Sequence, residues 1–418
     1  MYKLIILAII VAAVGWAEAA TYYVDSDDGR DDPSQSGGPL DPWRTLSYAL
    51  SCVSGENTFM CRGTFEEEVI VDYDDRGSEF AANTAATLKG WFGSGYEAYA
   101  KLTGFDVYGY AGSGGKSGID VRDCYFINPL VSALAIGRYH GYGGAYDCVF
   151  EDCKSVMRIY GFEFGAARFE GCTIKDCENG IYYGGEANVS AISCRFDRIA
   201  DTAFRASIWG EAAQVNNCVI TDCGTGVSMY VSEYSGAGFI GNSTFRGNNT
   251  PISVGYQTED WGGIEVRGNV VAENYGPGVT AGGVRIKLRG NVIKDNDGHG
   301  VYITGGAPDL GKPGAAGRNV FNGNRSGYDV YNASPENIPA YGNTWDPRSE
   351  REMKGKTWQA VNVTRIYDHW DNPKVGYVMW SEPVGIEPAS LGQIKASFKG
   401  APTSGQGVPG RRPSTAKE

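Results

Sequence analysis

Apolar and polar residues follow no helical period over most of this chain. Short apolar runs, broken by Gly, Asn and Asp, return about every 24 residues from Cys124 to Asn343. The anchors of the repeat are Cys124, Cys148, Cys172, Cys194, Cys218, Asn242, Asn269, Asn291, Asn319 and Asn343. Two residues after most anchors sits a large apolar side chain: Phe126, Phe150, Ile174, Phe196, Ile220, Val271, Ile293, Phe321, Trp345. Five residues after many sits a second Cys or Asn: Cys153, Cys177, Cys223, Asn274, Asn296, Asn324. An offset of two puts both side chains on one side of a strand. A period in this range marks a stacked array. Each unit holds three short strands and three turns, and each strand pairs in parallel with its equivalent in the next unit. The pattern predicts an all-β parallel β-helix with a dry core of stacked like residues. Ten rungs at about 4.8 Å each make a rod of roughly 48 Å. The 60 glycines suit its many tight turns. Stacked Asn amides can bond from rung to rung and so be buried without penalty.

The flanks break the pattern. Residues 1–20 read as a secretory signal peptide, with Lys3, the apolar run Leu4 to Val14 and a small-x-small site at Ala17-Glu18-Ala19. About 11 apolar residues are too few to span a bilayer, so the chain is expected to be secreted or at the cell surface, with no span left after cleavage. Residues 21–63 read as an N-terminal cap with the first strands, beginning Tyr22-Tyr23-Val24. Thr45 is placed to cap a short helix through Cys52. The helical coil of strands is expected over 64–345, with less regular strands at Phe65 to Val71 and Thr87 to Trp91. A C-terminal cap is expected over 346–383, with strands in Val361 to Tyr367 and Tyr377 to Trp380, and a flexible tail over 384–418.

Charge and cysteine narrow the partners. A formal charge of −12 argues against nucleic acid and anionic lipid. Ten cysteines in an exported chain usually mean disulfides. Here eight lie in the two ladders, where parallel Cβ vectors strain the bond torsion. They read as reduced, buried small fillers. Metal binding does not suit a linear stack either, since zinc wants converging ligands. Cys52 and Cys61 lie outside the ladders, and their thiol state is left open.

The opening YYVDSDDGRDDPSQSGGPLDPWRTLSYAL (22–50) resembles the start of secreted bacterial proteins of the pectate-lyase-like superfamily, in particular an N-terminal domain of no assigned function common in that group. NVFNGN (319–324), DVYNASPENIPAYGNTWD (329–346) and IYDHWDNPKVGYVMWSEP (366–383) resemble its last rungs and the segment after them. The resemblance covers most of 22–383 and implies a right-handed coil. It implies a link to extracellular polysaccharide only loosely, because the superfamily holds lyases, hydrolases, epimerases and non-catalytic proteins.

Motif chemistry is sparse. Gly298-His299-Gly300 and Arg285-Ile286-Lys287 match two polygalacturonase tripeptides, but in reversed order and without the NTD motif or a nearby Asp pair. They read as turns and strand starts. Glu163, Glu186, Glu211, Glu233 and Glu259 recur near the rung period, accompanied by Tyr142, Phe164, Tyr183, Trp209, Tyr234 and Trp261. Stacked, they would form a stripe of carboxylates and rings. Tyr183, Trp209, Tyr234 and Trp261 are the candidates for carrying sugar faces. Glu186, Glu211 and Glu233 are the catalytic candidates, since carboxylates one rung apart match a retaining glycosidase pair. The competing reading is a row of solvated turn residues. Arg138, Arg158 and Arg205, with His140, could meet an anionic sugar, but the Glu stripe beside them favours a neutral one. Asp25, Asp27 and Asp31 are candidates for Ca²⁺, several oxygens lying within one short loop. Three functions follow: an exported protein binding extracellular glycan, a polysaccharide hydrolase or lyase using the Glu stripe, or a structural surface rod.

Overall fold

The computed structural model describes residues 19–381 except 115, 130–131, 137–139, 232–235 and 257–261; the side chains of 158–164 also lie outside it. The expected signal peptide and tail fall outside these residues. The described residues belong to one compact unit that runs to Ser381. No described helix is long and apolar enough to cross a membrane.

The chain coils into a parallel β-helix with three faces. On the first face Thr21–Asp25 pairs with Thr58–Phe65, then Glu79–Leu88, Tyr99–Val107 and Gly118–Arg122, and onward rung by rung to Ile286–Arg289. The second face stacks three-residue strands, from Tyr125–Ile127 and Val149–Glu151 to Val320–Asn322. The third starts at Glu68–Val71 on Trp91–Ser94 and ends at Val330–Asn332 on Ile366–Tyr367. Every pairing between these strands is parallel and most are in register, as the 24-residue period requires.

The apolar column of the second face is continuous: Phe126, Phe150, Ile174, Phe196, Ile220, Phe245, Val271, Ile293 and Phe321 are register partners. Phe126 and Phe150 stack at 4.8 Å, and Trp345 continues the column on Phe321 at 5.0 Å. All are buried.

One anchor is corrected. Ser243, not Asn242, stands in the first ladder: it is buried, and its N–H donates to Asn269 Oδ1. Taking Ser243 as anchor restores both offsets, to Phe245 and to Asn248. Asn242 is exposed, with φ +50°. It belongs to a column of corners. The residue before each anchor, from Asp123 and Asp147 to Arg318 and Gly342, has positive φ, and so do Asp152, Asp176, Arg198, Asp222, Gly247, Glu273, Asp295 and Gly323 before the second ladder. These left-handed residues turn the chain sharply on either side of each three-residue strand, a task for Asp, Asn and Gly. At Gly171 a Cβ would stand 2.1 Å from Asp147 Oδ1 of the rung below, so a larger residue there would displace that side chain.

The cysteines do more than fill space. Cys172 Sγ donates to Ala145 O at 3.3 Å and Cys218 Sγ to Ala191 O at 3.4 Å, carbonyls of the preceding rung. Asn269 and Asn291 Nδ2 donate to the equivalent carbonyls of Ile240 and Val266. Thiol and amide thus serve one donor role, which is why they interchange along the ladder. In the second ladder Ile199 and Asn248 occupy the rungs that the sequence pattern leaves blank. All ten cysteines are free; Cys52 is exposed and Cys61 buried. Burial pushes the Cys223 thiol up to about 12.

Both ends of the core are closed. A helix at Leu46–Cys52, capped by the Thr45 hydroxyl, inserts Leu46 and Ala49, and Trp43 stacks on Tyr22 at 5.2 Å. At the far end the helix Pro347–Met353 and the strand Ile366–Tyr367 enclose a buried ion pair, Arg365–Asp329 at 3.1 Å. The expected strand Val361 to Tyr367 shrinks to these last two residues, and Tyr377 to Trp380 to Val378–Met379 on Ile338–Pro339.

Candidate functional site

The first face carries a groove of about 800 Å³. Its walls come from outward positions of successive strands, two columns deep. One column reads Tyr99, Gly118, Tyr142, Ala166 and Asn188; the next reads Lys101, Asp120, Gly144, Arg168 and Ser190. Tyr99 and Tyr142 stack at 6.0 Å and 21° across the intervening rung. They meet because residue 118 lacks a side chain: a Cβ there would come within 2.5 Å of Tyr99 and 2.7 Å of Tyr142. The outer ring, Tyr142, is 50% exposed and so offers its surface to a ligand.

Charge in the groove is largely paired internally. Asp120, nearly buried, takes a hydrogen bond from the Tyr99 hydroxyl and an ion pair from Arg122 at 3.3 Å. Arg122 also lies over the Tyr146 ring at 4.2 Å. Arg168 bonds Glu170 at 2.9 Å, and Lys101 stands 3.9 Å from Glu56. Burial, then the bond to Asp120, pushes the Tyr99 hydroxyl well above its ordinary range, so it remains a donor at any ordinary pH. The groove therefore combines an exposed ring with fixed donors and acceptors, and its charged lining is balanced in sign, Arg76, Lys101 and Arg168 against Glu56, Glu97 and Asp120.

The sequence candidates fall unevenly around it. Glu186 and Glu211 lie on successive rungs, both half-buried. Glu211 accepts from Asn188 Nδ2 at 3.2 Å, which ties it to the groove wall, while Glu186 packs against Gly210. Trp209 is half-buried, its N–H bonded to Gly185 O. Tyr183 is a correction: its ring is fully buried and its hydroxyl accepts from the Ala187 N–H, so it is core and cannot bear on a sugar. Glu233, Glu259, Tyr234 and Trp261 lie outside the described residues. Arg158 and Arg205 are not adjacent, since Tyr182 stands between them in register, with Arg205 over its ring at 5.5 Å.

The acidic loop is also corrected. Asp25 Oδ1 accepts from the N–H groups of Asp27 and Asp28, and its Oδ2 pairs with Arg62 at 2.9 Å. Asp31 accepts from the N–H groups of Arg44 and Thr45 and from the Thr45 hydroxyl. These oxygens fold the loop and hold the helix start. Among the described residues no three His, Cys, Asp or Glu side chains converge as a metal site.

Sequence reasoning missed Tyr99, Asp120, Tyr146 and Arg168. They lie on outward positions, where the repeat imposes no residue type, and the rungs before Cys124 carry no anchor to align them.

This chain belongs to the right-handed β-helix family: the family described as a right handed beta helix region matches residues 110–271 and 233–345. A search of curated proteins gives no match. Among solved structures, the chain is similar to the GH136 lacto-N-biosidase from Eubacterium ramulus, at 11% identity and a TM-score of 0.47 over 78% of this chain and 68% of that one. It is also similar to the periplasmic alginate epimerase AlgG, at 11% identity and a TM-score of 0.37 over 74% of this chain and 76% of that one. At these values neither bears on what this chain does.

Proposed function

We propose that the chain is an exported β-helix protein that binds an extracellular glycan in the groove of its first face. The observation that carries this reading is the Tyr99–Tyr142 ring pair brought together over Gly118 beside Asp120, Asn188 and Ser190. An exposed ring next to fixed hydrogen-bonding groups suits a sugar, which is apolar on its C–H face and polar at its rim. Three cations matched by three carboxylates along the groove give no net charge to attract a polyanion. The test is titration of a glycan panel into the mature protein and into Tyr142→Ala. A loss of tenfold or more in Kd, about 1.4 kcal/mol, with the circular dichroism unchanged, is expected. Equal affinity in the variant would sink the proposal.

A second reading has one specific support. Glu186 and Glu211 stand on successive rungs one position out of register, Glu186 being level with Gly210, and a pair of carboxylates on neighbouring rungs is the equipment a glycosidase needs. On this reading the protein releases sugar from the bound glycan. Release should vanish in Glu186→Gln and Glu211→Gln while binding stays.

A further inference from the structure

The third face carries a second concavity that differs from the groove in chemistry. One outward column runs in register over six rungs: Ser228, Ser253, Thr280, Tyr302, Tyr331, Tyr367. Three hydroxyls are followed by three phenols. The outward column beside it reads Tyr230, Gly255, Gly282, Gly305. The three glycines leave a trough of about 480 Å³, walled at one end by Tyr230. None of the described residues lining it is charged, in a chain whose formal charge is −12.

The other end of the trough is held rigidly. Tyr331 is sandwiched between His299 at 4.6 Å and Tyr367 at 4.1 Å, both rings nearly parallel to it. Tyr302 meets Tyr331 at 64°, and with both faces of Tyr331 taken, it abuts the rim. The Tyr302 ring also meets His299 at 5.8 Å, and Tyr302 stands on the rung of Thr304 and Gly305, which line the trough. His299 is fixed by Ser326 Oγ at 2.7 Å, and partial burial lowers its pKa, so the cluster too is neutral at ordinary pH.

We infer that the trough is a binding site for a neutral, linear glycan lying along the axis of the rod, independent of the groove on the first face. The trough covers the four rungs from Ser228 to Gly305, about 14 Å, the reach of a short oligosaccharide and not of a single sugar. The hydroxyl column supplies donors and acceptors at every rung. Tyr230 and Tyr302 bound the chain at its two ends. A charged polymer finds no partner ion along the described lining.

Gly305 provides a clean probe. A Cβ there meets nothing within 4 Å, at the end of its strand just past a register shift at Thr304, so Gly305→Leu fills the trough without a clash against the neighbouring rungs. The experiment titrates cello-, laminari- and mannohexaose, and a hexauronate for contrast, into the mature chain, Gly305→Leu, Tyr302→Ala and Tyr142→Ala. The expected result is binding of at least one neutral hexaose by a site that Gly305→Leu and Tyr302→Ala weaken tenfold or more and that Tyr142→Ala leaves intact. Three results would overturn it: no neutral hexaose binds, Gly305→Leu binds as the parent does, or the hexauronate binds this site more tightly. A panel in which Tyr142→Ala changes no binding while Gly305→Leu and Tyr302→Ala do refutes the proposed function and not this inference.

Discussion

At the scale of single residues, the fold depends on what each ladder position donates. Asn291 shows it fully: Nδ2 donates to Val266 O and Asn319 Oδ1, and Oδ1 accepts from both nitrogens of Asn269. Asn291→Ala leaves several buried groups unpaired, at about 1–3 kcal/mol each. A loss on the order of 3 kcal/mol or more is expected in urea unfolding. Asn242→Gly should change stability by less than about 1 kcal/mol, since Gly accepts positive φ readily; a loss as large as that of Asn291→Ala would restore Asn242 to the ladder. Among the thiols, only Cys52 is exposed, so a thiol reagent should modify one cysteine of the native protein quickly and the other nine only on unfolding. The ladders were legible in the sequence because burial in register restricts each position to a few residue types. Ser243 is hidden in the sequence because Asn242, a residue type of the ladder itself, stands beside it, although the Ser243 hydroxyl accepts from the Cys218 N–H and donates to Gly241 O within the ladder.

At the scale of elements, the corners and the two ends decide where the coil runs and stops. The left-handed corners were written in the sequence as Asp, Asn or Gly before each anchor, but Arg198, Glu273 and Arg318 at equivalent corners blur that signal. The C-terminal closure was not legible, because it rests on long-range contacts. Asp329 is fully buried and takes Arg365, the Ser349 hydroxyl and the Asp346 N–H. Burial raises its pKa, and Arg365 pulls it back down. Arg365→Met leaves that carboxylate without its counter-charge and should cost about 3–5 kcal/mol. With Arg365 gone the folded pKa moves further above the unfolded one. The neutral acid is then the form the fold prefers, so stability is greatest at acid pH and falls as pH rises towards the folded pKa. The deficit of Arg365→Met relative to the parent should therefore shrink on acidification, as urea midpoints across pH would register. Adding Asp329→Leu should recover most of the loss at neutral pH and abolish this pH dependence.

At the scale of the whole molecule, the stack turns short sequence distances into long surfaces. Residues 24 or so apart become neighbours, so a face is built from one position of each of many rungs. The sequence repeat specifies the inward positions, and the outward ones vary freely, which is why neither the groove nor the trough could be read from it. Ser228, Ser253, Thr280 and Tyr302 form a column only once strand register is known, because the loops between them differ in length. The same variability gives one scaffold two concavities of different lining on separate faces. Their electrostatics lead to a test that does not depend on which sugar binds. The chain carries a formal charge of −12, so a polyuronate would be repelled and its binding would tighten as salt screens that repulsion. A neutral glycan held by hydroxyls and rings exchanges no ions. Its Kd at either face should shift by less than about twofold when the ionic strength is raised tenfold. Weakening with salt would mean that Arg122, Arg168 or Lys101 leave their internal partners to meet an anionic ligand, and tightening that an anionic ligand binds against the repulsion of the whole chain; in either case the ligand is charged.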